Sequence, residues 1–206
     1  TNRYLIKAEN MGHPLLPQAV PNDFSVEKVH QLFIVTGANM AGKSTFLRTV
    51  GVNLVLALSG NVVCSQRFFS RPMALFTSMR TTDNLTKGTS YFHAELLRLQ
   101  QLQELASRSE TVFIILDEML KGTNSEDKLN GSLLFLERLL QYPVSGLVAT
   151  HDLALGQLAA RYPDRFYNVC FEITHTEDHI RYDYKLKAGI SKNMNASILL
   201  KKMGLI

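Results

Sequence analysis

Residues 37–44 carry the first chemistry that this chain offers. They read Gly-Ala-Asn-Met-Ala-Gly-Lys-Ser and match the pattern G-x-x-x-x-G-K-[ST] at every fixed position. The apolar run 31–36 before them indicates a buried strand, and residues 44–59 after them indicate a helix. In this setting glycines let backbone N–H groups face an anion at the positive end of the helix. The pattern predicts a phosphate-binding loop, and the alternative is a chance glycine turn before a helix.

Two residues of this loop have predicted roles toward a nucleoside triphosphate. The Lys43 ammonium can reach the β- and γ-phosphates, and the Ser44 hydroxyl can bind Mg²⁺. The motif therefore predicts nucleotide binding together with a divalent cation.

A second group of residues indicates what happens to the nucleotide. The apolar run 111–116 ends in the carboxylates of Asp117 and Glu118, which is typical of a strand buried on both faces of a parallel sheet. The carboxyl ends of such strands line the ligand crevice. We expect Asp117 to join the Mg²⁺ shell through water and Glu118 to act as the general base for an attacking water. The alternative is an acidic strand end that caps the next helix; the pattern favours hydrolysis.

A third predicted strand, 145–150, runs directly into His151. Its imidazole would reach the same crevice edge, where it can donate to a γ-phosphate or orient the water. A lone histidine is more often structural or exposed, but its position after a predicted core strand favours a functional role.

Composition is that of one domain with a sizeable core. The chain has 206 residues, 46% of them hydrophobic, and two distant cysteines, Cys64 and Cys170. Without metal-ligand spacing, these cysteines are expected to be buried apolar residues of a reducing, cytoplasmic compartment. No apolar run approaches the 18 or so residues of a membrane span. Because residue 1 is threonine, we expect the chain to be a segment of a larger protein.

Charge adds little to the functional interpretation. The formal net charge is +4, and the basic residues are scattered apart from small groups near 185–187 and 192–202. This permits contact with nucleic-acid phosphates, but a solvated basic surface is the better interpretation.

The alternation of elements predicts an α/β fold with a mostly parallel central sheet, helices on both faces and an antiparallel hairpin at one edge. Residues 1–30 are expected to form irregular segments with short edge strands, 31–161 the core with its phosphate loop, and 165–206 the hairpin and a short helix. Residues 80–90 form a polar loop that is a candidate mobile functional element. The remaining predictions are strands at 74–79, 112–116 and 146–149, helices at 92–107, 126–141 and 153–161, hairpin strands at 165–175 and 180–187, and a last helix at 196–203.

Within these elements, two finer details are predicted. The leucines of helix 92–107 are spaced to make one apolar face. Helix 126–141 should be capped by Asn124 or Ser125.

Four stretches together resemble the C-terminal ATPase domain of the MutS family of DNA mismatch-repair proteins, which belongs to the ABC-type P-loop ATPases. They are the loop segment 36–48, the polar segment 78–85 with 88–92 and Glu95, the segment 117–123, and the segment Ala149-Thr-His-Asp152. Similarity extends to residues 8–14 and 184–191, so it covers essentially the whole chain.

The resemblance implies a Mg²⁺-dependent ATPase of P-loop NTPase fold that acts as a homodimer or heterodimer with composite ATP sites. Ser90 would reach the γ-phosphate held by the other subunit, and the alternative for Ser90 is a loop cap. Val20, Asn22 and Tyr184 would contact the adenine, although Tyr184 can also be a surface aromatic of the hairpin. Double-stranded DNA would bind through domains outside this chain. The ATP-binding loop residues implied are Gly37, Ala38, Asn39, Met40, Ala41, Gly42, Lys43, Ser44 and Thr45.

The sequence departs from the family pattern at three places. Ala38 stands where the best-known members have proline, Leu120-Lys121 replaces a usual Gly-Arg pair, and the helical region after the hairpin is brief. Mismatch repair therefore stands beside a second hypothesis, an ATP-gated dimerisation switch that does not act on mismatches. A transporter or chromosome-maintenance ATPase would need a Leu-Ser-Gly-Gly-type signature before residue 117, and the sequence has none.

Overall fold

The computed structural model describes residues 3–79, 91–175 and 180–192. The predicted loop at 80–90, with Ser90, and the predicted helix at 196–203 lie outside the described residues. Nine strands and four α-helices follow one another in the described part. They are β1 (Ile6–Met11), β2 (Asn22–Val26), β3 (Leu32–Gly37), α1 (Lys43–Leu58), β4 (Arg67–Ser70), β5 (Ala74–Met79), α2 (Tyr91–Arg108), β6 (Val112–Asp117), α3 (Ser125–Leu139), β7 (Val144–Ala149), α4 (Gln157–Arg161), β8 (Phe166–His175) and β9 (Ile180–Ala188).

The main sheet has six strands in the order β5-β6-β7-β3-β8-β9. The first five are parallel to their neighbours, and only β9 runs antiparallel, paired with β8. This confirms the predicted α/β architecture with a mostly parallel sheet and an antiparallel hairpin at one edge. Val35 and Asp117 both pair with Ala149, so β3, β6 and β7 end side by side at one edge of the sheet.

Helices cover both faces of this sheet, as expected for parallel strands. On one face, Phe46, Leu47 and Leu54 of α1 belong to a core cluster that includes alternate residues of the central strands. On the other face, Leu102 of α2 and Leu136 of α3 belong to a second cluster. Every residue of β6 and of β7 is buried, which explains their mostly apolar sequences.

Local signals set the helix starts. Helix α1 begins directly after Gly42, which adopts a left-handed conformation with φ 107°. Helix α3 is capped by Asn124, whose side chain accepts from the Asp127 N–H at 3.0 Å, one of the two predicted caps. Glu126 and Asp127 follow this cap in the first turn, where negatively charged side chains interact favourably with the helix dipole.

Residues 1–30 contain two short strands, as predicted, but the sheet that they join was not predicted. They do not supply edge strands to the main sheet, because β1 and β2 join β4 in a separate antiparallel sheet of order β2-β1-β4. The sheet packs Ile6, Met11 and Phe24 into the α1 side of the core. Strand β4 was not predicted, and its pairing with β1 links residues about 60 positions apart, which no local pattern reveals.

Three smaller expectations were only partly confirmed. Leu96 and Leu97 of α2 are 41% and 44% exposed, whereas Leu99 and Leu102 are buried. Cys64 is exposed, whereas Cys170 is buried and burial raises its thiol pKa to about 11. The segment predicted as helix 153–161 divides into a 3₁₀ turn (Leu153–Gly156) and α4.

None of the helices described by the structure is long and apolar enough to cross a membrane.

The contact between β6 and β7 leads to a stability prediction. A Cβ on Gly146 would lie 2.1 Å from the Ile114 carbonyl oxygen, a backbone atom that cannot move without breaking the sheet. Gly146→Ala should lower the free energy of unfolding by about 3 kcal/mol or more. The matched control is Gly60→Ala, where φ is +74° but no atom lies within 4 Å; it should cost only about 1 kcal/mol. Chemical denaturation measures both, and equal losses would contradict this packing.

Candidate functional site

A cavity of about 900 Å³ lies at the edge where β3, β6 and β7 end. It gathers residues predicted from separate parts of the sequence, whereas Gly37 lies buried outside its lining and Ser90 lies outside the described residues. The predicted residues in the lining are Val20, Asn22, Ala38, Asn39, Met40, Ala41, Gly42, Lys43, Ser44, Thr45, Asp117, Glu118, His151 and Tyr184.

The glycine loop, residues 37–42, needs glycine at both ends. A Cβ on Gly37 would lie 2.7 Å from the Phe171 carbonyl oxygen of β8. The backbone of β8 therefore leaves no room for a side chain where the loop begins. Gly42 combines φ +107° with close approach to the Tyr184 ring, whose Cδ1 would lie 3.1 Å from an added Cβ. Met40 is also left-handed, with φ +64°. This backbone course turns the chain sharply into α1.

Lys43 lies at the centre of the site and is only 7% exposed. Its Nζ donates to the carbonyl oxygens of Gly37 at 2.7 Å and Ala38 at 2.9 Å. Burial lowers the pKa of Lys43 to about 8, while the carboxylates of Glu118 and Asp117 favour its charged form and oppose the shift. The loop and the strand ends therefore surround a buried ammonium group.

Glu118 and His151 form a pair opposite the loop. His151 Nε2 lies 3.0 Å from Glu118 Oε1, and Lys121 Nζ lies 3.5 Å from Glu118 Oε2. Burial, followed by the charge of Lys43, lowers the pKa of His151, and the Glu118 carboxylate opposes this shift. A neutral imidazole that donates its Nε2 hydrogen to the carboxylate fits this geometry.

The residues after β7 fix where His151 stands. Thr150 is buried and its Oγ1 accepts from the Asp152 N–H at 2.9 Å. The Asp152 carboxylate in turn accepts from the Ala154 N–H at 3.0 Å. These two turns around His151 hold it at the end of a rigid strand.

Two oxygen donors in the lining suit Mg²⁺. Ser44, in the first turn of α1, offers a hydroxyl, and Asp117, the last residue of β6, offers a carboxylate that is only 7% exposed. A hard cation such as Mg²⁺ uses one or two such protein oxygens and completes its shell with water and phosphate oxygens. The described residues include no cluster of three or more His, Cys, Asp or Glu side chains suited to a metal, so a protein-only cage is not the type of site this donor set forms.

The cavity rim joins the small sheet to the hairpin. Asn22 of β2 donates from Nδ2 to the Tyr184 carbonyl at 2.9 Å, and its Oδ1 accepts from the Leu186 N–H at 2.7 Å. Tyr184 has φ +53°, is 42% exposed and stacks on Tyr182 with ring centroids 5.8 Å apart. Both ends of the Asn22 amide are bonded to backbone groups of the hairpin. These contacts indicate that Asn22 positions Tyr184 and does not itself contact a ligand.

The sequence prediction missed one functional candidate at the site. Lys121 was noted only as a departure from the family pattern, yet its ammonium lies beside Glu118. Its spacing of three residues after a predicted base is the signal that could have identified it.

The buried Lys43 ammonium predicts a pH dependence of stability. Its pKa is about 8 in the folded chain against 10.5 for an ordinary lysine, so the unfolded chain binds more protons between these values. The free energy of unfolding should rise by up to about 3 kcal/mol as the pH increases through this window. Lys43→Met serves as the reference, since it lacks the titrating group. Denaturation at pH 7.5 and 10.5 should show that the free energy of unfolding of the wild type rises relative to that of the variant by this amount. A constant gap would contradict a buried charged Lys43.

The sequence of the chain is similar to proteins of one known family. The family model for MutS domain V matches residues 33–203. The chain is 31% identical over 208 residues to the DNA mismatch repair protein MutS of Persephonella marina, covering 98% of this chain and 24% of the relative. It is 29% identical over 195 residues to the endonuclease MutS2 of Thermus thermophilus, covering 94% of this chain and 25% of the relative. It is 30% identical over 195 residues to the mouse MutS protein homolog 4, covering 89% of this chain and 20% of the relative.

These relatives are much longer, and the chain spans between a fifth and a quarter of their length. The family match itself covers most of the chain. The chain therefore belongs to the MutS family and corresponds to its domain V.

Proposed function

We propose that this chain binds ATP with Mg²⁺ and hydrolyses it to ADP and phosphate, as the ATPase domain of a MutS-like mismatch-repair protein. The observation that carries the proposal is the buried Lys43 ammonium between the glycine loop and the strand ends that bear Asp117, Glu118 and His151. The proposal implies that the fold is that of a P-loop NTPase.

Lys43 would exchange partners when the triphosphate binds. Its ammonium now donates to two carbonyl oxygens of the glycine loop, which are neutral acceptors. Phosphate oxygens are charged acceptors that make stronger hydrogen bonds with an ammonium group. The negative charge of the phosphates would also raise the pKa of Lys43, which offsets the lowering of this pKa by burial. Ser44 and Asp117 would hold the Mg²⁺, which neutralises phosphate charge during the reaction.

Glu118 and His151 would handle the attacking water. Glu118 lines the cavity and would accept a proton from the water as general base. Its two oxygens now lie beside His151 and Lys121. His151, a neutral donor, would orient Glu118 or donate to the γ-phosphate. Release of either neighbour on nucleotide binding would free a Glu118 oxygen for water.

The adenine would lie at the rim of the cavity against Val20 and the exposed Tyr184 ring, which Asn22 holds in place. Aromatic rings bind a base by stacking without the need for hydrogen bonds. The cavity volume of about 900 Å³ is that of a site for a molecule of this size.

The whole protein would couple this chemistry to DNA. We infer a homodimer or heterodimer in which Ser90 of each subunit completes the ATP site of the other, with double-stranded DNA held by regions outside this chain. Support comes from the family match and from the relative named as a DNA mismatch repair protein. A reducing, cytoplasmic compartment stays a prediction of the sequence.

A pair of variants separates binding from hydrolysis. Lys43→Ala should weaken ATP binding by about 2–3 kcal/mol, or roughly 10²-fold, through the loss of charged hydrogen bonds. Glu118→Gln keeps the shape but loses the base, so ATP should bind as in wild type while turnover falls about 10²–10⁴-fold. Equilibrium binding of a labelled ATP analogue and steady-state hydrolysis by the full-length protein measure the two effects.

Circular dichroism melting serves as the folding control for both variants. A folded Lys43→Ala protein with unchanged affinity would contradict the phosphate role of the loop. A Glu118→Gln protein as active as wild type would assign the water to another group.

Composite sites predict complementation between subunits. In a mixed dimer of Ser90→Ala and Lys43→Ala subunits, one ATP site carries both lesions and the other carries neither. Such a dimer should regain part of the activity that each variant lacks alone, because an isologous interface pairs each loop with the opposite Ser90. Activity is measured on heterodimers isolated by two affinity tags. Confirmed heterodimers without restored activity, when Ser90→Ala alone is inactive, would contradict a role in trans.

A further inference from the structure

One buried carboxylate in the molecule has no part in the proposed chemistry. Glu95 of α2 is 4% exposed. Its Oε1 accepts from the Leu120 N–H at 2.6 Å, and its Oε2 accepts from the Lys121 N–H at 3.0 Å. Both oxygens of one side chain therefore hold consecutive backbone amides, and hydrogen bonds of this charged kind are stronger than neutral ones.

These amides belong to a turn whose backbone is unfavourable by itself. In the 118–122 turn, which follows β6, Glu118 has φ +58° and Leu120 has φ +56°. Residues with a Cβ rarely adopt left-handed conformations, and a bulky leucine is a stronger exception than most. Such a conformation persists where the surroundings hold it. The Glu95 carboxylate provides two of the bonds that do so.

Helices α2 and α3 both contact the 118–122 turn. Phe92 and Glu95 lie three residues apart on one face of α2, and Phe92 packs so closely on Gly122 that an added Cβ there would lie 2.7 Å from its Cβ. On the α3 side, the buried Leu120 side chain lies against Gly131, where an added Cβ would be 2.7 Å from Leu120 Cδ1. The turn is therefore held by contacts of its own Leu120 and Gly122 with the two helices.

Lys121 contacts both Glu95 and Glu118. The Lys121 N–H donates to Glu95, while its ammonium lies 3.5 Å from Glu118 Oε2. Glu118 also begins the turn, so its side-chain direction follows from the left-handed backbone that Glu95 stabilises. The opposite oxygen of Glu118 lies 3.0 Å from His151 Nε2.

We propose that Glu95 is a positioning residue that sets the orientation of Glu118 through the 118–122 turn. The proposal rests on the role of general base proposed above for Glu118. Glu95 does not line the cavity, so its influence falls on turnover and not on nucleotide affinity.

The first test compares Glu95→Gln with Glu104→Gln in the full-length protein. Glutamine at 95 keeps the size and one acceptor, but its NH₂ group faces a backbone N–H, so the turn loses one anchor. We expect kcat to fall about 10²-fold, as a small misplacement of a catalytic group does, with ATP affinity unchanged. Glu104, exposed on the same helix in a surface ion pair with Arg108, should change neither quantity. Wild-type kcat in Glu95→Gln would overturn the proposal.

A double variant tests whether Glu95 acts through Glu118. Because Glu118→Gln already lacks the base, adding Glu95→Gln should not lower its residual turnover further. A further loss as large as in the wild-type background would overturn the proposed route through Glu118.

A measurement without nucleotide separates this proposal from the proposed function. The ring nitrogen resonances of His151, assigned with a His151→Asn variant, should shift in Glu95→Gln toward their values in Glu118→Ala, and stay in place in Glu104→Gln. Unshifted resonances would overturn the proposal even in a protein that hydrolyses ATP. Absence of ATP binding by the wild type would instead reject the proposed function, and the resonances would still decide the role of Glu95.

If Glu95→Gln fails to fold, wild-type amide exchange decides. The Leu120 and Lys121 amide protons should exchange slowly and resonate downfield, as donors to a carboxylate do; fast exchange at both would overturn the proposal.

Discussion

A buried positive charge is the constraint on which the rest of this structure depends. Lys43 is only 7% exposed, and its pKa is lowered to about 8 by burial. An ammonium group in such a place is unfavourable unless acceptors and negative charges surround it. Two carbonyl oxygens of the glycine loop and the carboxylates of Asp117 and Glu118 supply this environment. The proposed triphosphate would add further negative charge beside the ammonium group.

The parallel sheet creates this environment because it brings distant residues to one edge. Strands β3, β6 and β7 pair in register, so the glycine loop, Asp117 and His151 follow neighbouring strand ends although 114 positions separate Gly37 from His151. Gly146 allows β7 to approach β6 so closely that no side chain would fit. The small sheet completes the rim, since Asn22 ties it to the hairpin at Tyr184.

Local sequence patterns predicted the elements of the main sheet well, and their limits are physical. Apolar runs and the glycine loop located β3, β5, β6 and β7 to within two residues, because these signals depend on neighbouring residues alone. The separate sheet was missed because β1 and β4 meet only through long-range pairing. The exposure of Leu96 could not be predicted, since it depends on how far α2 rotates against the sheet.

The candidate site shows the same division. Motifs predicted functional roles for Lys43, Asp117 and Glu118, and these three residues line one cavity. The left-handed backbone at Glu118 and Leu120 was not predictable, because the turn lies in long-range contact with Glu95 and Phe92 of α2 and with Gly131 of α3. Spacing can indicate which residues carry chemistry, whereas their orientation comes from tertiary contacts.

The most direct test of the account is a crystal structure of the Glu118→Gln protein with ATP and Mg²⁺. We expect Lys43 Nζ to leave the carbonyl oxygens of Gly37 and Ala38 and to donate to β- and γ-phosphate oxygens, with Mg²⁺ beside Ser44 and Asp117. A bound nucleotide whose phosphates lie elsewhere, with Lys43 still bonded to both carbonyls, would contradict it.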